Sequence, residues 1–391
     1  MKRFLFYLFA LTPLCSFAQI TTGYYRVMND YTKRYMSIVD TNADIKVDMS
    51  SANKVDADLQ AIHMLTGFED SVAYNPATIC FIEHVSGSQY NLSGQGLDLY
   101  NTTGRLLGAT QTPAGLYRIY AEASGITKYL IDNSYHGTVY YPSIGDDTSG
   151  STNRSWHVSP VDQEAERYYG IKPDLTASAD GSYWATQFAG FPFKPSDAST
   201  KVYTVCNVDN ASGYAVIREI TGNVPAQTPV LFRCGAATPS GNKMTLLAPG
   251  TSGSTGINYL KGNYYCNDVV ADADPKKNHR NVMAYDPLNM RILGVDSEGK
   301  PAFVKGNDTN LVRSKVDGKL YIPANKAYLD VSTSAPDVLQ IITEEEYITG
   351  IHEMNTSTTD ETKVIYDLQG RRVQAPSKGL YIVNGKKMII R

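Results

Sequence analysis

The chain has 391 residues, with 36 Lys and Arg against 39 Asp and Glu and a net charge of −3. That balance excludes the global basic field that carries non-specific nucleic-acid binding, so no nucleic-acid partner is expected. Hydrophobic residues at 42% exclude wholesale disorder, and 28 Tyr against 11 Phe and 2 Trp favour strands and amphipathic contact surface.

Lys2 and Arg3 precede an apolar run over residues 4–11, which Pro13 breaks. Ser16 and Ala18 place small residues before a cut at Gln19, so residues 1–18 are expected to be an export signal peptide. The apolar run is short for a bilayer span. Leu14 stands where lipoprotein processing needs a small residue before Cys15, so a mature, unlipidated protein starting at Gln19 is expected. No later stretch is long and apolar enough for a transmembrane helix. Four cysteines follow the signal, Cys80, Cys206, Cys234 and Cys266, without a C-x-x-C unit. Two readings stand: a Cys206–Cys234 bridge, if their apolar runs are neighbouring strands, or four buried thiols. The bridge would contribute roughly 3–4 kcal/mol in the chain-entropy model.

Helical periodicity is scarce, and short alternating runs separated by turn residues predict an all-β chain. Over residues 19–162 a degenerate three-fold repeat sets Tyr25, Phe81 and Tyr117 as equivalent. Tyr35-Met36, Tyr90-Asn91-Leu92 and Tyr129-Leu130 follow in the three units, and Trp156 closes the third. The pattern resembles the ricin-type β-trefoil, a resemblance that implies sugar binding. That family's Gln-x-Trp is missing, because Arg154 stands two residues before Trp156. Tyr35, Tyr90, Tyr129 and Trp156 remain the candidate ligand-binding residues, with filling of the trefoil core as the alternative role of the tyrosines.

Residues 163–341 carry a second repeat. Val224-Pro225-Ala226-Gln227-Thr228-Pro229-Val230-Leu231 recurs as Ile322-Pro323-Ala324-Asn325-Lys326-Ala327-Tyr328-Leu329. The spacing predicts a turn feeding a buried strand, twice, and hence a β-sandwich of two related halves. The second phrase resembles a module of secreted Bacteroidota proteins. Residues 342–362 are polar and predict a linker.

Residues 363–391 contain three short apolar runs with Gly turns: Val364 to Val373, Gly379 to Val383 and Lys386 to Arg391. The Tyr366-Asp367-Leu368-Gln369-Gly370-Arg371, Gly379-Leu380-Tyr381-Ile382-Val383 and Gly385-Lys386-Lys387 elements resemble the C-terminal sorting domain of the Bacteroidota type IX (Por) secretion system. The resemblance implies secretion or surface display through outer-membrane machinery.

No catalytic signature stands. His352-Glu353 lacks a second His at 356, and Gly94-Gln95-Gly96 lacks its third glycine. Asp272, Asp274 and Asn278 lack calcium-loop spacing, so no metal or cofactor is expected. The expectation is an exported, non-catalytic surface protein binding glycan or a host ligand. The alternative is an exported carbohydrate-active hydrolase with its carboxylate pair far apart in sequence.

Overall fold

A computed structural model describes residues 19–39, 62–100, 107–123, 126–136, 139–145, 152–266, 283–314, 317–349, 351–354, 365–374, 376–383 and 386–390. The signal segment 1–18, the Asp272–Asp274–Asn278 stretch and Gly385 fall outside these residues. The chain is all-β and forms two compact units. The first holds most of residues 19–160, and the second holds residues 161–390 together with 67–77.

The first unit runs β1 (Gly23–Asn29), β2 (Tyr35–Ile38), β3 (Ile62–Leu65), β4 (Cys80–Ser86), β5 (Gln89–Gly94), β6 (Leu97–Tyr100), β7 (Leu107–Gln111), β8 (Tyr117–Ala123), β9 (Ile126–His136), β10 (Val139–Gly145) and β11 (Ser155–Pro160). Six of these close a ring, β1–β4–β5–β7–β8–β11 and back to β1, every neighbour antiparallel. Closure leaves the ring no free edge. Additional strands extend from it in each third: β2 with β3, β6, and β9 with β10. This is the β-trefoil arrangement.

The three-fold repeat is real, but its register differs from the expectation. Phe81 lies on β4, the closing strand of the first third, directly opposite Tyr24 on β1. The equivalent positions are Tyr25, Tyr90 and Tyr117, at the starts of β1, β5 and β8. Two residues on, Val27, Leu92 and Ile119 all turn into the core, exposed by 2%, 4% and 4%. Burial pushes the Tyr90 and Tyr117 hydroxyls up. The incoming chain lies beside them. The Tyr25 hydroxyl donates to the Thr21 carbonyl at 2.7 Å, and the Ile20 N–H donates to the Tyr90 hydroxyl at 3.3 Å.

The second unit runs β12 (Tyr169–Gly170), β13 (Leu175–Thr176), β14 (Tyr183–Gln187), β15 (Phe193–Pro195), β16 (Lys201–Asp209), β17 (Tyr214–Glu219), β18 (Val230–Cys234), β19 (Lys243–Leu246), β20 (Leu260–Asn263), β21 (Met290–Val295), β22 (Pro301–Val304), β23 (Val312–Arg313), β24 (Leu320–Tyr321), β25 (Lys326–Asp330) and β26 (Val338–Thr343). Helix α1 (Glu344–Thr349) and strands β27 (Ile351–Met354), β28 (Ile365–Tyr366), β29 (Gly379–Val383) and β30 (Lys386–Ile390) complete it.

One ladder joins ten strands in the order β13-β14-β18-β16-β17-β26-β22-β21-β25-β20. The run β14-β18-β16-β17 repeats as β20-β25-β21-β22, which makes the two related halves explicit. Their inner faces share one core, in which Val205, Ile217 and Leu231 of the first half are matched by Leu293, Phe303 and Leu329 of the second. The Pro-Ala-Gln/Asn turns precede β18 and β25, and Gln227 and Asn325 both take left-handed φ, 61° and 57°. The Asn325 side chain donates to the Phe188 carbonyl at 3.0 Å, and its own carbonyl accepts the Phe188 N–H at 2.9 Å.

Two buried polar side chains hold loops. Arg291 is 1% exposed and donates to the carbonyls of Pro287, Met290, Ala335 and Pro336 at 2.8–2.9 Å. Asn242 donates to the carbonyls of Ile171, Ala236 and Thr238 and accepts from the Ala236 N–H and the Thr200 hydroxyl.

Two expectations are corrected here. The supposed linker is structured at its start: β26 runs to Thr343, α1 follows, and β27 pairs in parallel with β30. Thr343 and Glu346 cap α1 reciprocally, the Glu346 N–H donating to the Thr343 hydroxyl and the Thr343 N–H to the Glu346 carboxylate. The C-terminal sheet, β27-β30-β29-β28, therefore begins at residue 351 rather than 363. Residues 355–362 lie outside the described residues.

Second, of the two cysteine readings the bridge falls away, because Cys206 and Cys234 are free thiols. β16 and β18 are neighbours, but the register sets Tyr203 opposite Leu231. The two cysteines therefore sit at opposite ends of the ladder, separated by roughly 20 Å at strand rise, far beyond disulfide reach. Burial pushes the Cys80 and Cys234 thiols up to about 12. In protein lacking residues 1–18, a thiol reagent should modify the partly exposed Cys266 first, and the other three only on unfolding. A non-reducing gel showing an intramolecular bridge would contradict this.

His63, on β3, is 7% exposed, and burial lowers its imidazole to about 4. The fold accepts the neutral ring, so its contribution is complete above the ordinary value of 6.5 and is lost as pH falls from there toward 4. The loss should reach on the order of 3 kcal/mol. Urea unfolding across that range should show a shallower pH dependence in His63→Leu than in the parent.

Candidate functional site

Of the aromatic residues proposed for ligand contact, two lie inside the first unit. Trp156 is 0% exposed and donates its indole N–H to the Leu130 carbonyl at 3.1 Å; Tyr90 is 2% exposed. Neither offers a face to a ligand, so their assignment as binding residues is corrected to core. Their burial follows from the ring, where β5 and β11 contribute inward-facing positions. Tyr35 and Tyr129 are half-buried, on β2 of the first third and β9 of the third, and Tyr129 packs against Tyr120 at 5.8 Å. The four do not form one site.

The C-terminal motif has a local physical cause. Asp367 accepts the N–H groups of Gln369 and Arg371 at 2.9 and 2.8 Å and pairs with the Arg371 guanidinium at 2.7 Å. The Arg371 contacts and neighbouring N–H groups hold its carboxyl below the usual range. Gly370 takes φ +76°, which a side chain rarely adopts. The Asp-Leu-Gln-Gly-Arg stretch is thus a self-capped turn between Tyr366 and the next bridge. Tyr366 and Lys387 are exposed; Gly379 and Tyr381 are half-buried on β29, and Lys386 opens β30.

A cleft of about 630 Å³ opens in the second unit. It lies where β21 and β25 part. Their ladder holds only Met290↔Asp330 and Arg291↔Leu329, after which the strands separate. β13 forms another wall, and the 305–311 loop borders the opening with Asn307, Thr309 and Asn310. Lys326 donates to the Asp174 carboxylate at 2.5 Å and to the Thr186 carbonyl at 3.2 Å. The Thr186 N–H also donates to Asp174, at 2.8 Å. Asp174 is the acidic side chain among the described lining residues, and it is committed to Lys326.

The bordering loop is held from several sides. The Asn307 N–H donates to the Asn310 side chain at 2.8 Å, and the Thr309 N–H donates to the Asn307 side chain at 2.9 Å. The Gly306 N–H donates to the Tyr285 hydroxyl at 2.7 Å, and Arg313 clasps Asp308 with two nitrogens. Leu311 packs with Ile292, Ile322 and Tyr328 beneath. The cleft is thus pre-shaped, with amide and hydroxyl groups on its rim and aliphatic groups within. Sequence reasoning missed it. Lys326 belonged to the repeat phrase, but Asn307-Asp308-Thr309-Asn310 carried only a loop signal. Among the described residues no group of three His, Cys, Asp or Glu is placed to hold a metal.

No family model and no curated protein matches the chain. One solved structure, described as a mosquitocidal holotoxin, matches with 9% identity over 79% of this chain and a TM-score of 0.26. The chain spans about half of that structure's length, 51%.

If Trp156 and Tyr90 are core residues, Trp156→Ala should cost about 3–5 kcal/mol, the range for large aromatic truncations. Tyr129→Ala, half-buried, should cost less. Urea unfolding of the two variants checks the order.

Proposed function

We propose that the protein is an exported binding protein displayed outside the cell, with no catalytic role, which takes a glycan or a host ligand. The observation that carries this reading is the cleft of the second unit. Its rim amides and hydroxyls offer hydrogen bonds while its aliphatic interior offers burial, the combination that recognition sites use. Hydrolysis by a carboxylate pair needs two carboxyls about 5–10 Å apart, and Asp174 is held by Lys326 instead. The C-terminal sheet serves export or attachment, as the resemblance to a type IX sorting domain implies. No helix among the described residues is long and apolar enough to cross a membrane.

Two measurements test the reading. Labelled full-length protein should bind host-cell surfaces saturably, and Val295→Arg, at an exposed position of the cleft wall, should weaken that binding about tenfold. Binding indifferent to the variant, or none, overturns the binding role. A chain ending at Thr349 should fold but fail to reach the surface or medium of the native host. Normal delivery of that shortened chain overturns the sorting role.

A further inference from the structure

The first unit buries a carboxylate on β9. The Asp132 side chain is 0% exposed, and its two donors both go to one oxygen. The Thr32 hydroxyl donates to Oδ2, and the Arg34 guanidinium approaches the same Oδ2 through Nε, at 3.3 Å. Oδ1 is equally buried and meets no protein donor.

The groups around Asp132 come from three elements besides β9. The turn between β1 and β2 brings Thr32 and Arg34. The other charged groups of that turn pair with each other and with β11: Asp30 meets Lys33 at 2.9 Å and His157 at 2.7 Å. Strand β10 sets Pro142 opposite Asp132 and places the Tyr140 ring 3.6 Å from the Arg34 guanidinium. The turn at residues 152–154 carries the buried Arg154 and the Asn153 side chain, which donates to the Asp132 main-chain carbonyl at 3.4 Å. On β9 itself Lys128 is buried.

A buried ionised carboxylate costs far more than the neutral acid unless it is paired and fully hydrogen-bonded. Here the pairing is partial, because one Nε at 3.3 Å is not the two-pronged fork that makes an Arg–carboxylate pair strong. Arg34 has a second support in the face of Tyr140, which it keeps when Asp132 is neutral. A proton on Oδ1 displaces neither contact to Oδ2.

We propose that Asp132 is a proton-uptake site of the first unit: on mild acidification Oδ1 takes a proton while Thr32 and Arg34 stay on Oδ2, and the unit gains stability from the change. Burial, the largest influence on this carboxyl, pushes it above its ordinary 3.8, against the opposing pull of Thr32 and Arg34. The folded chain therefore binds this proton more tightly than the unfolded chain. Stability from Asp132 rises as pH falls through the raised folded value, and the gain is complete below 3.8. His63 runs the other way, losing its contribution as pH falls from 6.5 toward 4. The two buried groups oppose each other, so the first unit keeps a flatter stability in mild acid than His63 alone would leave it.

Carboxyl carbon NMR of full-length protein labelled at aspartate, with sequential assignment, follows Asp132 directly. Its resonance should titrate with a midpoint above 3.8, and a midpoint at or below 3.8 overturns the proposal. Amide exchange at Tyr31 and Thr32, whose N–H groups donate to the Asn29 side chain, should keep its protection through that titration. Loosening of the turn at the Asp132 midpoint overturns the retained contacts. Urea unfolding of the parent and of Asp132→Asn supplies the energetic sign. The parent's unfolding constant should fall relative to the variant's by about tenfold for each pH unit crossed between the folded value and 3.8. A relative rise instead makes Asp132 an ion-pair partner that acid releases, and overturns the proposal. The NMR titration uses the parent alone and decides the matter where the variant does not fold.

Discussion

The second unit depends on one strand. β17 and β22 are the inner edges of the two halves, and each would present unpaired N–H and C=O groups if left alone. β26 fills the gap, parallel to β17 from Tyr214↔Gln340 to Ile217↔Thr343 and antiparallel to β22 from Ala302↔Gln340 to Val304↔Val338. A buried edge without partners costs free energy at every unpaired group, so one strand satisfying two edges unites the halves into a single ladder. Leu339, 0% exposed, carries the union into the shared core.

The chain is poor in charge, and two buried polar side chains of its second unit, Arg291 and Asn242, each meet several partners. Four carbonyls of two loops take the donors of Arg291. A buried cation is costly to strand, so these carbonyls and the guanidinium hold one another in place. Asn242 does the same for the loops at Ile171 and 236–238 with neutral groups. Both residues act where turns, not strands, need fixing. The halves therefore owe their shape to apolar pairing within the ladder and to a few saturated polar hubs outside it.

The all-β class, the two-half repeat and the three-fold unit were legible because each rests on local pattern. Alternation reports strands, and Gln227 and Asn325 mark turns that tolerate positive φ. The register of the three-fold repeat was not legible. Phe81 shares its face with Tyr24 rather than with the buried Tyr25, and the thirds differ in length, so no fixed period separates them. The cysteine pairing failed for a related reason: neighbouring strands were foreseen, but register decides which residues meet. The cleft was hidden because it arises where two strands part. Leu175, Gly294 and Lys326 come together only through long-range sheet order.

The capped helix α1 leads from β26 almost directly into the C-terminal sheet. Any pull applied to that sheet, by an anchor or a passing partner, therefore acts along the central strand of the second unit. β26 runs parallel to β17, so the load falls across several backbone hydrogen bonds at once in shear, rather than one after another as in unzipping. The Arg218–Glu344 pair and the Tyr347–Asp209 contact tie the helix back onto β17 and the end of β16. They give the first turn of that load path a second attachment. A chain loaded this way would yield last at the strand that joins its halves.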